Sequence, residues 1–220
     1  QQMGAHVQIG LVAVASLDEY QQGSIKKHEH TRPDKELDRA NHIEATAAQT
    51  GPVFLTYRAD RDIDGLIDRC RQKPPLCDFI ADDGIGHALY LVDDPADIAA
   101  IEQAFRRVPA LYIADGHHRS AAALRVRDKR RAANPGHTGD EDYNRFLVVI
   151  FPHDQVQIMD YNRVVSDLAG RTPAEFLAAV AEKFLVEEHP DGACKPATAH
   201  TFGMYLAGGV GGSRLAGAVR

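Results

Sequence analysis

Proline and glycine punctuate this chain so often that no single element can run far. Eleven prolines and 18 glycines are spread through 220 residues. Several stand where an apolar run stops, at Gly51-Pro52, Pro109, Asn134-Pro135-Gly136 and Pro152. Proline removes a backbone donor and glycine frees the backbone, so such clusters mark turns and element ends. Between them lie short β-branched runs of strand length and segments whose apolar residues recur at helical spacing. Neither kind dominates, which predicts a mixed α/β or α+β fold. Apolar residues make up 44% of the chain, enough to bury a real core. None of the apolar runs approaches the roughly 20 residues that a membrane helix needs.

The pattern predicts a strand over Val7–Ala15, a polar turn over Asp18–Gly23, and a helix from Pro33 to about Gln49. A strand over Val53–Tyr57 and a helix over Asp60–Gln72 follow. Phe79–Val92 carries Asp82-Asp83-Gly84 between two apolar segments and reads as a hairpin. Asp94-Pro95 caps a helix to about Arg107, and Ala110–Ala114 is a short strand. Ser120–Ala133 reads as a helix rich in alanine and arginine, with Gly136–Asp142 a polar loop after it. Phe146–Phe151 and Gln155–Asp160 read as two strands joined at Pro152. Thr172-Pro173 starts a helix to about Phe184, and Phe202–Leu206 reads as a strand. The glycine-rich run from Gly208 to Gly217 is expected to be a loop or frayed end, because it lacks the Gly-x-x-x-x-Gly-Lys pattern.

Charge and cysteine content narrow the class. Lysine and arginine number 25 against 31 acidic residues, a net charge of −6. That balance argues against a nucleic-acid coat or a basic membrane-surface protein. The three cysteines, Cys70, Cys77 and Cys194, form no dense framework and are expected to be reduced and unpaired in a cytoplasmic protein. Six residues separate Cys70 from Cys77, which is not a zinc spacing, and there is no His-Glu-x-x-His among the eleven histidines. The first residues show no basic segment leading into an apolar stretch, so no signal peptide is expected. The abrupt opening, just before a predicted strand, leads to the expectation that an upstream part is missing.

The densest chemistry lies in Tyr112-Ile113-Ala114-Asp115-Gly116-His117-His118-Arg119-Ser120, where a strand ends and a helix begins. A helix N-terminus presents unpaired N–H groups and partial positive charge, so it accepts phosphate readily. Gly116 permits a tight turn, and Arg119 offers bidentate donation to phosphate oxygens. His117 and His118 add donors, while Asp115 can accept a proton or hold a metal. The alternative is a helix end with solvated polar residues. A second cluster, His28-Glu29-His30-Thr31-Arg32-Pro33-Asp34-Lys35, also precedes a helix. Glu29 has the chemistry of a general base, and Arg32 or Lys35 that of a phosphate ligand. By itself this segment is a solvated charge run, and it gains meaning only if the fold brings it beside the first turn. Arg125, Arg127, Lys129, Arg130 and Arg131 form a basic helix, read as a solvated face because no aromatic residue interleaves with the charges. Ser120 lacks the Gly-x-Ser-x-Gly elbow of a hydrolase.

These segments, with Gly51-Pro52-Val53-Phe54-Leu55-Thr56-Tyr57 and Tyr161-Asn162-Arg163-Val164-Val165, resemble the bacterial and archaeal family called domain of unknown function 1015, whose members are often labelled ParB-like. The likeness runs from about Gly10 to Asp167. The Asp-Gly-His-His-Arg turn also resembles the wider ParB/sulfiredoxin superfamily and, within it, the free serine kinases. The resemblance implies a ParB/sulfiredoxin-like core over 1–168 with an insertion at about 60–108, and a C-terminal α+β elaboration over 169–220. It implies that strands 53–57 and 110–114 share a sheet. It further implies that Glu29 and Asp115 are the acid/base pair and that Gly116 to Ser120 hold nucleotide phosphates. No cysteine lies in the turn, so sulfinic-acid reduction is not expected.

The function expected from both lines of reasoning is a nucleotide-dependent phosphotransferase. It would use ATP or ADP with Mg2+ and act on a small hydroxyl compound, free serine being one. The other reading is a ParB-like nucleotide-binding regulator or NTPase without a small-molecule acceptor. Catalysis by Glu29 demands that its carboxylate lie in the cleft of the Asp115–Arg119 turn, 86 positions away. Several ångströms of separation are expected there, to admit acceptor and phosphoryl group.

Overall fold

A computed structural model describes residues 1–188, 195–196, 198–206 and 214–219. It divides into two compact units, Gln1–Gln157 and Ile158–Arg220.

The first unit begins with β1 (Gln2–Met3), β2 (His6–Val7), β3 (Leu11–Ser16), α1 (Leu17–Gln22), β4 (Ile25–Lys26), α2 (Pro33–Thr46) and β5 (Val53–Tyr57). It continues through α3 (Arg61–Cys70), β6 (Cys77–Ile80), β7 (Gly86–Leu89), α4 (Pro95–Phe105), β8 (Leu111–Asp115), α5 (His117–Ala133) and β9 (Arg145–Pro152). Five strands form a mixed sheet in the order β3-β9-β5-β8-β4. β5 runs parallel to β9 and antiparallel to β8. The expectation that strands 53–57 and 110–114 share a sheet is thus met. A smaller sheet, β2-β1-β7-β6, contains the predicted hairpin, with Ile80 opposite Gly86.

Every second residue of β5 is buried, Val53, Leu55 and Tyr57, and on β9 Phe146, Val148 and Ile150 do the same. A strand sends alternate side chains to opposite faces, so these two parallel neighbours build one wall of the core. Leu17, Tyr20, Ile63, Ala104 and Ala123 close it from the helices. A satellite cluster of Ala40, Ala122 and Val126 packs α2 against α5. Small alanines let the two helix backbones approach, and that approach aligns the start of α2 with the start of α5.

Local differences from the sequence reading have physical causes. Asp18–Gly23 is not a turn but most of helix α1, because the Ser16 hydroxyl accepts from the Asp18 and Glu19 N–H groups and a left-handed Gly23 ends the helix. The predicted strand Gln155–Asp160 is absent; His153–Gln155 form a single 3₁₀ turn, and Ile158 and Met159 are exposed. The predicted basic face is interrupted, since Arg127 is 2% exposed and its guanidinium donates to Asp18, Gln21 and Asp128. Arg130 and Lys129 pair with Glu44 of α2. Cys70 and Cys77 are free thiols; Cys194 lies outside the described residues.

In the second unit α6 (Pro173–Ala181) opens on a capping box between Thr172 and Glu175. The helix ends at Ala181, short of the expected Phe184, which instead begins strand β10 (Phe184–Glu188). β11 (Thr201–Tyr205) and β12 (Arg214–Val219) complete a three-stranded antiparallel sheet ordered β10-β12-β11. The glycine-rich run therefore ends in a strand from Arg214; residues 208–213 lie outside the described residues. No described helix is long and apolar enough to cross a membrane.

Candidate functional site

Strand β8 passes into helix α5 through one residue. Gly116 takes φ +100 and ψ 26, a left-handed backbone that L side chains rarely adopt. The helix starts at His117, three residues earlier than its alanine-rich pattern indicates, and no side chain caps it. The N–H groups of its first turn consequently keep their donor capacity at the mouth of the turn. Its 17 residues place a macrodipole behind them.

Two cross-links frame this end. Arg119 Nη1 donates to the Pro52 carbonyl at 2.6 Å, and Nη2 donates to Asp115. One guanidinium thereby ties the end of β8 to the residue that precedes β5. Gly51 is part of the same fit, because a Cβ there would stand 3.2 Å from Arg119 Nη1. Pro52 is not among the site residues expected from the sequence, although it stands in the Gly51–Tyr57 segment that carries the family resemblance.

The second cluster lies on the other side of the turn. Glu29 Oε2 stands 3.4 Å from His117 Nδ1, and the His28 ring meets the His117 ring edge-on at 4.5 Å between centroids. The Arg32 N–H donates to His118 Nε2 at 3.2 Å. The structure therefore brings Glu29, Asp115, Gly116, His117, His118 and Arg119 together, along with the backbone of Arg32. The Arg32 guanidinium is mostly exposed and pairs with Asp34 at 2.8 Å. Glu29 touches the turn directly, through His117, where several ångströms were expected. The buried ring of His117, at the first helical position, is the part of the turn that the exposed Glu29 carboxylate meets. Ser120 does not join the group. It is fully buried, and its hydroxyl donates to the His117 carbonyl at 3.0 Å, so the expectation that it holds phosphate is corrected.

His117 is 4% exposed, and its Nε2 has no hydrogen-bond partner among the described residues. Burial lowers its pKa, the neighbouring His28 lowers it further, and Glu29 and Asp115 oppose the shift. The ring is therefore neutral near neutral pH, and its contact with Glu29 is not a salt bridge. His118 accepts at Nε2, so its hydrogen sits on Nδ1, which remains a donor. The arrangement offers backbone N–H groups, one imidazole N–H and a guanidinium around a turn, with two exposed carboxylates beside it, Glu29 and the Arg119-paired Asp115. That is a set of anion donors beside a base.

The sequence profile of the family described as "Protein of unknown function (DUF1015)" matches residues 1–215. This chain belongs to that family. The match covers all of the first unit, with its candidate site, and most of the second. No curated protein and no solved structure matches the chain.

Proposed function

We propose that this DUF1015 chain is a nucleotide-dependent phosphotransferase acting on the hydroxyl of a small compound, free serine being the acceptor that its resemblance to the free serine kinases implies. The observation that carries the reading is the meeting of Glu29 with the uncapped N-terminus of α5. Phosphoryl transfer needs little covalent chemistry from a protein; it needs positioning and charge neutralisation. The first-turn N–H groups, His118 Nδ1–H and Arg119 supply positive partners for the phosphates of ATP or ADP. The acceptor oxygen forms a bond to the terminal phosphorus as the bond to the nucleotide's bridging oxygen breaks. Glu29 takes the hydroxyl proton, and Asp115 stands as the second carboxylate at the same turn.

Mg2+ would be held mainly by phosphate oxygens and water, with Asp115 as the protein's contribution. The donor set fits that role and no more: among the described residues no group of three His, Cys, Asp or Glu side chains could hold a metal ion. The ParB/sulfiredoxin-like core belongs to the same proposal, supported by the chain order of Glu29, Pro52 and Arg119 around one turn. The regulator reading has less support, because four of the six arginine and lysine residues of α5 are paired within the unit.

The test is a melting screen with ATP, ADP and Mg2+, followed by a coupled assay across amino acids and hydroxy acids. A ligand at a hundred times its Kd stabilises by about 2.7 kcal/mol. Absence of turnover with every acceptor sinks the phosphotransferase; salt-sensitive DNA binding with nucleotide would favour the regulator.

A further inference from the structure

The segment between β4 and α2, residues 27–32, carries Glu29 yet has no regular structure of its own. Glu29 is mostly exposed, and its recorded tie to the rest of the unit is the 3.4 Å approach to His117. A carboxylate on such a loop can act as a base only if something fixes the loop, since a misplacement of about 1 Å can cost about 10²-fold in rate.

We infer that His118 is a positioning residue for Glu29: its Nε2 anchors the Arg32 backbone and so sets the 27–32 loop against the first turn of α5. The inference deepens the phosphotransferase reading and rests on it for its kinetic consequence. Three contacts carry it. Arg32 N–H donates to His118 Nε2 at 3.2 Å across 86 positions of chain. His28 and Glu29 both meet His117, the preceding residue of the same turn. The loop is thus held near both ends by consecutive histidines. The Arg32 side chain takes no part, because it reaches forward to Asp34. Pro33 makes the anchor stiff: it disfavours helical backbone at Arg32, which sits at φ −91 and ψ 128 with its N–H turned to the imidazole. At its far side the loop continues into α2, which the alanine contacts and the Glu44–Arg130 pair lock to α5. The two histidines divide the work. His117 is buried and touches the carboxylate; His118 holds the backbone three residues on.

The test uses the full chain with His118→Leu, which removes the acceptor, and His118→Gln, whose side-chain carbonyl can replace it. Hydrogen exchange of the 27–33 segment is the readout that needs no activity. Exchange should quicken in His118→Leu and return toward the parent rate in His118→Gln. Exchange unchanged in His118→Leu, or equally fast in both variants, overturns the inference. With an accepted substrate in hand, His118→Leu should lower kcat by about 10²-fold, over and above the rise in nucleotide KM that loss of the Nδ1–H donor brings, and His118→Gln should recover most of the kcat loss. A rise in nucleotide KM with kcat intact would instead make His118 a phosphate ligand alone and overturn the positioning role. If the parent chain turns over no acceptor, the phosphotransferase reading fails by itself, and the exchange result still decides whether His118 sets the loop.

Discussion

Two strands of the same sheet hand over to helices in opposite ways. β5 ends at Tyr57 and reaches α3 through Asp60, whose carboxylate accepts from the Asp62 and Ile63 N–H groups. β8 ends at Asp115 and reaches α5 through Gly116, with no cap. The first helix end satisfies its own donors; the second leaves them unspent. The carboxylates differ in the same sense. At α5, Asp115 is matched by Arg119. At α3, burial pushes the pKa of the Tyr57 hydroxyl up, Asp64, Asp60 and Asp154 push it further, and the hydroxyl has no hydrogen-bond partner among the described residues. An end that is capped and crowded with like charge is structural. On the proposed function, the uncapped and neutralised end is the one that receives an anion. That contrast is what the variants below are designed to break.

The largest effect is expected at Glu29. Glu29→Gln should reduce phosphotransfer by about 10²–10⁴-fold, the usual contribution of a positioned base, and leave nucleotide-dependent stabilisation in place. Near-normal turnover would shift the base to Asp115. Arg119→Ala should come next. It leaves the Pro52 carbonyl and Asp115 without their shared donor, which costs about 2 kcal/mol in denaturant unfolding, and it should abolish the melting shift given by nucleotide. Arginine removed from a merely structural bridge would lower stability and spare the nucleotide response.

Gly116 reports on the backbone of the open end. Gly116→Ala places a Cβ 3.0 Å from Arg119 Nε on a backbone at φ +100. Left-handed strain costs about 1–2 kcal/mol, and the displaced guanidinium should weaken nucleotide binding as well. At the capped end, Asp60→Ala should cost about 1 kcal/mol through the lost cap and change nucleotide binding not at all. Equal effects of the two substitutions on nucleotide binding would erase the distinction between the ends.

Local pattern made much of this legible and distance in sequence hid the rest. Val53–Tyr57 is a strand over the residues expected, because an uninterrupted apolar run sits between Gly51-Pro52 and a polar cluster. Asp115 to Arg119 stood out because five polar or glycine residues crowd one turn. The start of α5 lies earlier than expected, since two histidines and an arginine look like loop until Gly116 is seen to turn the chain into the helix from a left-handed backbone. α1 was misread because Asp18, Glu19, Gln21 and Gln22 outweighed its signals, the Ser16 cap and Gly23. That Glu29 rests on His117 and Arg32 on His118 follows from α2 packing along α5, and no local pattern encodes that packing. The separation expected between Glu29 and the turn failed for a related reason: the burial of His117 depends on tertiary packing that residue type does not reveal.

The smallest effect is expected at Asp64, and it sharpens the comparison most cleanly. Burial raises its pKa above 3.8, and Asp154, Asp68 and Asp60 raise it further; the charges acting on it are all carboxylates. A carboxyl whose folded pKa lies above its unfolded value binds more protons in the native state throughout the window between the two. Stability therefore falls as pH rises through that window, and the penalty persists above it. Asp64→Asn removes the charge and should raise stability near pH 7 by no more than about 0.5 kcal/mol, since the side chain is partly solvated. The gain should shrink as pH falls toward 3.8, where the unfolded carboxyl also takes up a proton. Denaturant midpoints of parent and variant, measured across that range, give the answer. A loss of stability near neutral pH would mean that the crowded carboxylates carry a bound cation. The α3 end would then be a second site, and the division into one structural end and one functional end would fall.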